Sequence, residues 1–356
     1  MLNFSLTDSF SWSEIFPEYF MFYYVFWFGV VATNCLTTFS VVTNLINMAV
    51  FLKQGLQERV NFTLFWLSFS DLMVALVISV ITKGFTGDVQ LGSILVDGTS
   101  FVNFICGIKA LFKDLSSGLT MFLSIERCIC VVRPLHFNST FIARHGKMIV
   151  SMTIVAFVLY YLPLLTSVGS ESAYIKETNT TKWYSISTEF NIEYRRFNDY
   201  FMGLFLCVFA PFVIFVCAVL MFRGLQQSSR IRKAVIVSSE PTGRTLSELS
   251  KKERRVVKMV FVLAILYMLT SFPLIVGVVI FDYYDTFESE EKAIETRNLV
   301  LVMEILLFYV GASYGALSIF VYYCCSSSFR SEFHIMCCLR ICRNNKQIKT
   351  KQKTFI

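Results

Sequence analysis

Residues 116–136 read SSGLTMFLSIERCICVVRPLH. The run opens with the small and apolar side chains of a membrane helix, then meets two adjacent charges, Glu126 and Arg127. Five apolar residues, 128–132, separate them from Arg133 and Pro134. An arginine at the centre of a hydrocarbon span costs about 2.5–3.5 kcal/mol. The pair is therefore expected where the helix leaves the membrane for the cytoplasm, kept there for a task.

The rest of the chain has the composition that such a helix requires. Of 356 residues, 55% are apolar and 16% charged, with a mean hydropathy of +0.60. Soluble domains hold about 45–50% apolar and about 25% charged residues. Seven predominantly apolar blocks reach the ~20 residues that a bilayer needs: 22–52, 60–83, 100–132, 147–169, 198–222, 256–281 and 299–324. A soluble core needs no such runs, so that class is excluded. The expected fold is an all-α membrane protein, a seven-transmembrane helix bundle spanning 22–324, with an N-terminal segment 1–21 and a tail 325–356.

Lysine and arginine orient the bundle. Residues 1–25 contain neither, whereas 223–258 contain ten and the tail seven. Loop 282–298 is acidic, and in loop 170–197 four basic residues are diluted by four glutamates. The N-terminus is therefore expected outside and the C-terminus inside. The first residues lack a basic region and carry acids, so no cleaved signal peptide is expected. The net charge of +7 gathers on the inner face, and no nucleic-acid partner is indicated.

Asn3 and Asn179 sit in outer-side sequons and are glycosylation candidates. None of the eleven cysteines falls in an outer loop, so no disulfide framework is visible. After the last block, Phe329, Phe333, Met336 and Leu339 recur at helical spacing between Arg330 and Arg340. That pattern suits a short amphipathic eighth helix lying in the inner interface against membrane lipid. Cys337, Cys338 and Cys342 are placed there for palmitoylation, or are plain thiols.

Polar residues inside the spans mark the working parts. Asp71, Asn44 and Ser116 stand at similar depth in three blocks. They can form a hydrated cluster able to hold a sodium ion, or a hydrogen-bonded packing node. Lys109 and Lys113 share one face of the third block, in its outer half, with Asp114 on the adjacent face and Glu304 as another possible counter-charge. They form either a pocket for an anionic or carboxylate-bearing ligand or an internal salt bridge. The acidic loop 282–298 steers in the opposite sense, toward cations. Pro163, Pro211 and Pro273 each interrupt a span, giving kinks or pivots. Ser250 and Glu253 can form a capping box at the start of the sixth block. Glu253 is then an acid at the inner end of that block and a second partner for Arg127, which would clamp two helix ends.

Taken together, these residues resemble the rhodopsin-like (class A) G-protein-coupled receptors over roughly 26–340. The matches are Asn44, LSFSD at 67–71, Ser116 with Glu126-Arg127-Cys128, Pro211, Glu253 with Pro273, and Tyr322 to Phe329. The resemblance implies a multi-pass plasma-membrane receptor for an extracellular small-molecule or peptide ligand. Arg127 would turn from Glu126 and Glu253 toward a heterotrimeric G protein, with arrestin and a receptor kinase as further partners. Asp71, Asn44 and Ser116 would map onto the family's sodium and water cluster, and Pro211, Pro273 and Tyr322 onto its activation pivots. More narrowly, VVTNLINMAVFLKQG and FLSIERCICVVRPL look like the chemosensory receptors of sea slugs and snails. A neuropeptide-type receptor is the alternative.

The chain departs from the family pattern at several positions. Val102 stands at the third-span cysteine position, and loop 170–197 has no cysteine, so the usual outer bridge cannot form. The fourth span lacks the family's tryptophan. Ser271 stands at the sixth-span aromatic switch, beside Phe272, which joins Lys109, Lys113 and Glu304 as a pocket candidate. The Asn-Pro-x-x-Tyr motif reads SIFVY at 318–322, and Lys109 replaces the acid that holds amine ligands.

Other function classes fare worse. A transporter or channel would show inverted repeats or paired broken helices, and no internal repeat is present. An enzyme has only His136, His145 and His334 to use, with no metal spacing and no nucleophile partner.

Overall fold

The computed structural model describes residues 27, 31–84, 89–91, 94–96, 98–132, 140–166, 168–175, 180–187, 189–198, 201–202, 205–237, 251–287, 309–310 and 312–336. Helix α1, Thr33–Gln54, stops at Gly55, whose φ of +91° is readily reached only without a Cβ. The Gly55 N–H donates to the Leu52 carbonyl, and Lys53 sits in the last turn against the negative end of the helix dipole. Helix α2 is Arg59–Gly84, and two short strands follow, β1 Val89–Leu91 and β2 Ile94–Val96. Helix α3, Gly98–Val132, has 35 residues, which is about 52 Å at 1.5 Å per residue. Helix α4, Phe141–Thr166, bends at His145 and contains Pro163. A hairpin of β3 Val168–Ile175 and β4 Thr180–Ser187 leads to the short α5, Glu189–Asn198.

Helix α6, Ala210–Val237, is entered through one π-helical turn, Phe205–Phe209, which ends with one residue, Ala210, between it and Pro211. Proline has no N–H and its ring collides with the carbonyl four residues back, so a widened turn relieves both problems. Helix α7, Lys251–Phe287, carries Pro273 in its interior. Helix α8, Ala312–Cys325, is separated by Ser326 alone from a last helix α9 over 327–336. Ser326 caps that junction, accepting from the Phe329 N–H at 3.2 Å.

Five helices are long and apolar enough to cross a membrane: Thr33–Gln54, Arg59–Ile81, Phe104–Val132, Phe141–Thr166 and Arg254–Pro273. Two shorter apolar helices, Ala210–Gly224 and Ala312–Cys325, accompany them. Among the described residues every apolar span is helical, and the strands lie in the connections. Helix α4 shows the solvent these helices are built for. It buries Gly146, Val150, Tyr161 and Leu164 and exposes Met152, Val155, Val158, Leu159 and Leu162. Such a face is a large apolar patch in water and ordinary in hydrocarbon.

Helix α3 is the hub, packing on α2, α4, α6 and α7. The main core gathers Phe51, Leu64, Leu67, Leu119, Leu123, Met221, Val257, Leu263 and Tyr322 around its C-terminal half. Tyr322 meets Phe51 edge-on at 5.2 Å between ring centres, and both rings touch Phe329 at 5.7 Å. This aromatic triad joins α1, α8 and α9.

The four strands form one sheet in the order β1-β2-β4-β3. Strand β2 pairs in parallel with β4, Leu95 opposite Lys182 and Val96 opposite Trp183. The segment that enters α3 is thereby tied to the loop after α4. No sequence signal pointed to this sheet, and it spans the same two segments that the absent cysteine bridge would join.

Candidate functional site

Three polar groups lie along α3. At its C-terminal end the Glu126 carboxylate is fully buried and accepts from Arg127 Nη2 at 2.9 Å. A second cation, Arg59 at the start of α2, comes within 3.7 Å of the same carboxylate oxygen. Arg59 also donates to the carbonyl of Ala143 in α4. One buried anion thus holds two guanidinium groups from two helices, and one of these reaches a third helix. Arg127 itself is only 7% exposed. Two charges withdrawn from water this way are stable only as a paired set.

In the middle of α3, Ser116 donates to Asp71 Oδ1 at 2.7 Å. Asn44 donates to the Ser40 carbonyl at 2.9 Å and to the Gly315 carbonyl at 3.3 Å. Asn47 extends the network, donating to Asn44 Oδ1 at 3.4 Å and Ser318 Oγ at 3.3 Å. Gly315 lets α8 come this close. A Cβ there would stand 3.0 Å from the Asp71 Cβ, 3.2 Å from Ser40 Oγ and 3.3 Å from Asn44 Nδ2. Asp71 Oδ2 has no hydrogen-bond partner among the described residues.

Toward the N-terminal half, Asp114 accepts from the Tyr161 hydroxyl of α4. Lys113 is the neighbour of Asp114 in the chain, and Lys109 lies one turn before Lys113 on the helix. The Lys113 ammonium lies 5.6 Å from the centre of the Tyr267 ring of α7, within cation–π range. Tyr267 packs edge-on against Tyr314 at 5.6 Å, and the Tyr314 and Thr120 hydroxyls pair at 3.2 Å.

The structure therefore brings together Asn44, Asp71 and Ser116 in one cluster, Glu126 with Arg127 in another, and Lys113 with Asp114 in a third. Pro211 is buried at the head of α6, and Tyr322 is fully buried in the aromatic triad. Phe272 is not brought to the lysines' cluster: it is 67% exposed, beside the buried Ser271. Asn3, Asn179, Glu304, Cys337, Cys338 and Cys342 lie outside the described residues, as do Ser250 and the side chain of Glu253. No group of three or more metal-ligating side chains occurs among the described residues.

A family model described as 7 transmembrane receptor (rhodopsin family) matches residues 42–314. The chain belongs to that family. Comparison with curated proteins returns no match. As a rhodopsin-family member the chain is a multi-pass membrane receptor and signal transducer, and such receptors are not enzymes. The receptor's polar clusters lie within the matched residues, except that Ser40, Gly315 and Ser318 of the middle cluster fall just outside the two ends of the match.

Sequence reasoning missed several residues of the receptor's clusters. Arg59 reads in the sequence as one more basic residue between two apolar blocks. Tyr161 was invisible because its partner lies on another helix. Asn47 had a usable signal, since Asn44 and Asn47 are three apart and share a helix face. Ser318 read as a departure from the family motif, yet it fills a donor and acceptor role there: it accepts from Asn47 and donates to the Gly315 carbonyl at 2.9 Å.

Proposed function

We propose that this receptor sits in the plasma membrane with its N-terminus outside, takes an extracellular ligand in the outer half of the bundle, and activates a heterotrimeric G protein through its inner face. The observation that carries the reading is the closed Glu126–Arg127 pair, 2.9 Å apart and almost wholly buried at the end of the hub helix. A buried guanidinium paired to its own neighbour is a two-state element. It stays folded in, or swings out to a partner, and a ligand that binds the second state better shifts the population.

At the ligand end, Lys109, with Lys113 at the floor of the pocket and Glu304 at its rim, suits an anionic or carboxylate-bearing small molecule. The likeness of 41–55 and 122–135 to molluscan chemosensory receptors favours an environmental small molecule over a peptide. On the inner side, Glu253 is a second holder of Arg127. The helix over 327–336, with palmitoyl groups on Cys337, Cys338 and Cys342, lies along the membrane surface. Arrestin and a receptor kinase are the partners expected at the same face.

The test is a ligand screen on cells expressing the receptor with a broadly coupling G protein, read as second-messenger output. Anionic small molecules and peptides form separate arms. The expected result is a response to an anionic small molecule that Arg127→Ala abolishes at unchanged surface expression. A ligand response untouched by Arg127→Ala overturns the mechanism, and a response to peptides alone overturns the ligand class.

A further inference from the structure

We propose that the Lys113 ammonium, rather than a mobile sodium ion, neutralises the buried Asp71 carboxylate, so that the middle cluster carries its own tethered cation. Lys113 and Ser116 are three residues apart and face the same way. Ser116 is already bonded to Asp71 Oδ1 at 2.7 Å. The other oxygen, Oδ2, lacks a hydrogen-bond partner among the described residues. A cavity of about 10 Å³ adjoins Asp71, and Lys113 forms part of its wall, with Ser40, Tyr314 and Gly315. That volume admits about one water molecule.

The donor set does not fit a sodium ion well. A hard cation needs a shell of oxygens around it. Here Lys113, whose charge has the same sign as sodium's, lines the cavity, and the Ser40 hydroxyl is engaged by Asn44 at 3.2 Å. Among the residues lining the cavity beside Asp71, Lys113 is the cationic side chain. It is steered by the Tyr267 ring at 5.6 Å, itself packed on Tyr314 of the same cavity wall. One water between Nζ and Oδ2 would satisfy both groups. A sodium ion in that space would meet the ammonium at close range without room for its own hydration. The nearby Asp114 does not compete fully for Lys113, because Tyr161 already donates to it and Lys109 lies one turn away on the same face.

The consequence is a receptor whose stability and resting activity do not follow sodium concentration. The test is thermal unfolding of the purified full-length receptor in sodium chloride and in N-methylglucamine chloride of equal ionic strength. Superimposable curves are expected for the wild type. Lys113→Gln opens the cavity to a free cation and is expected to gain a sodium-specific upward shift, which the Lys113→Gln/Asp71→Asn double variant lacks. A sodium-specific shift in the wild type that Asp71→Asn removes overturns the proposal, and so does a Lys113→Gln curve that ignores sodium. Should Lys113→Gln fail to fold, surface expression decides. Asp71→Asn strands the ammonium and lowers expression, and adding Lys113→Gln is expected to restore it, whereas additive losses overturn the pairing.

Discussion

Glu126 is the residue whose surroundings say most about switching. Its carboxylate is fully buried and meets two guanidinium groups, Arg127 at 2.9 Å and Arg59 at 3.7 Å. A buried carboxylate stripped of its only cation is strongly destabilised. With Arg59 in place, Arg127 can leave without stranding that charge. Arg59 is 29% exposed, so its own attraction is partly screened by solvent. Arg59→Ala is therefore expected to bind Arg127 more firmly to Glu126 and to lower ligand-independent output by about fivefold, the effect of about 1 kcal/mol. Second-messenger assays normalised to surface expression read this directly. An increase in resting output would make Arg59 part of the lock instead of the support for its release.

At the scale of elements, the entry to α3 is the place where the chain solves a problem its family solves covalently. No cysteine in 170–197 can bridge to the third helix. Strand β2, two residues before α3, instead pairs with β4 of that loop. Main-chain hydrogen bonds between parallel strands hold Cα atoms about 4.8 Å apart, a spacing that a disulfide also accepts. Val96→Cys with Trp183→Cys, direct partners in the register, is expected to cross-link spontaneously on the cell surface. Peptide mapping under non-reducing conditions would detect the link. The bridge should add about 2–4 kcal/mol and raise the unfolding midpoint by about 5 °C or more. Failure to cross-link would mean that the two strands do not pair in this register. The π turn before Pro211 is a local counterpart: there the cause, a missing N–H, sits in the same few residues as the effect.

For the whole molecule, the side of the membrane on which each end lies follows from where the basic residues gather. An epitope placed at residue 1 is expected to stain on intact cells, and one placed within 238–250 only after permeabilisation. The reverse pattern would overturn both the orientation and the assignment of Arg127 to the cytoplasmic side. The class of fold was legible from the chain itself, because hydrocarbon sorts segments by composition alone: long apolar runs separated by charged loops need no knowledge of neighbours. Polar residues within those runs, Asn44, Asp71, Ser116, Lys113 and Glu126, also stood out, since each is costly there without a partner. Who the partner is depends on which helices are adjacent, and composition does not carry that. Arg59 reads in the sequence as one more topology charge, and only packing of α2 against α3 and α4 sets it beside Glu126 and the Ala143 carbonyl. The approach of Gly315 to Asp71, the burial of Lys113 beside Tyr267 and the pairing of β2 with β4 likewise join residues far apart in sequence. Such contacts leave no local periodicity, so the tertiary structure alone decided them.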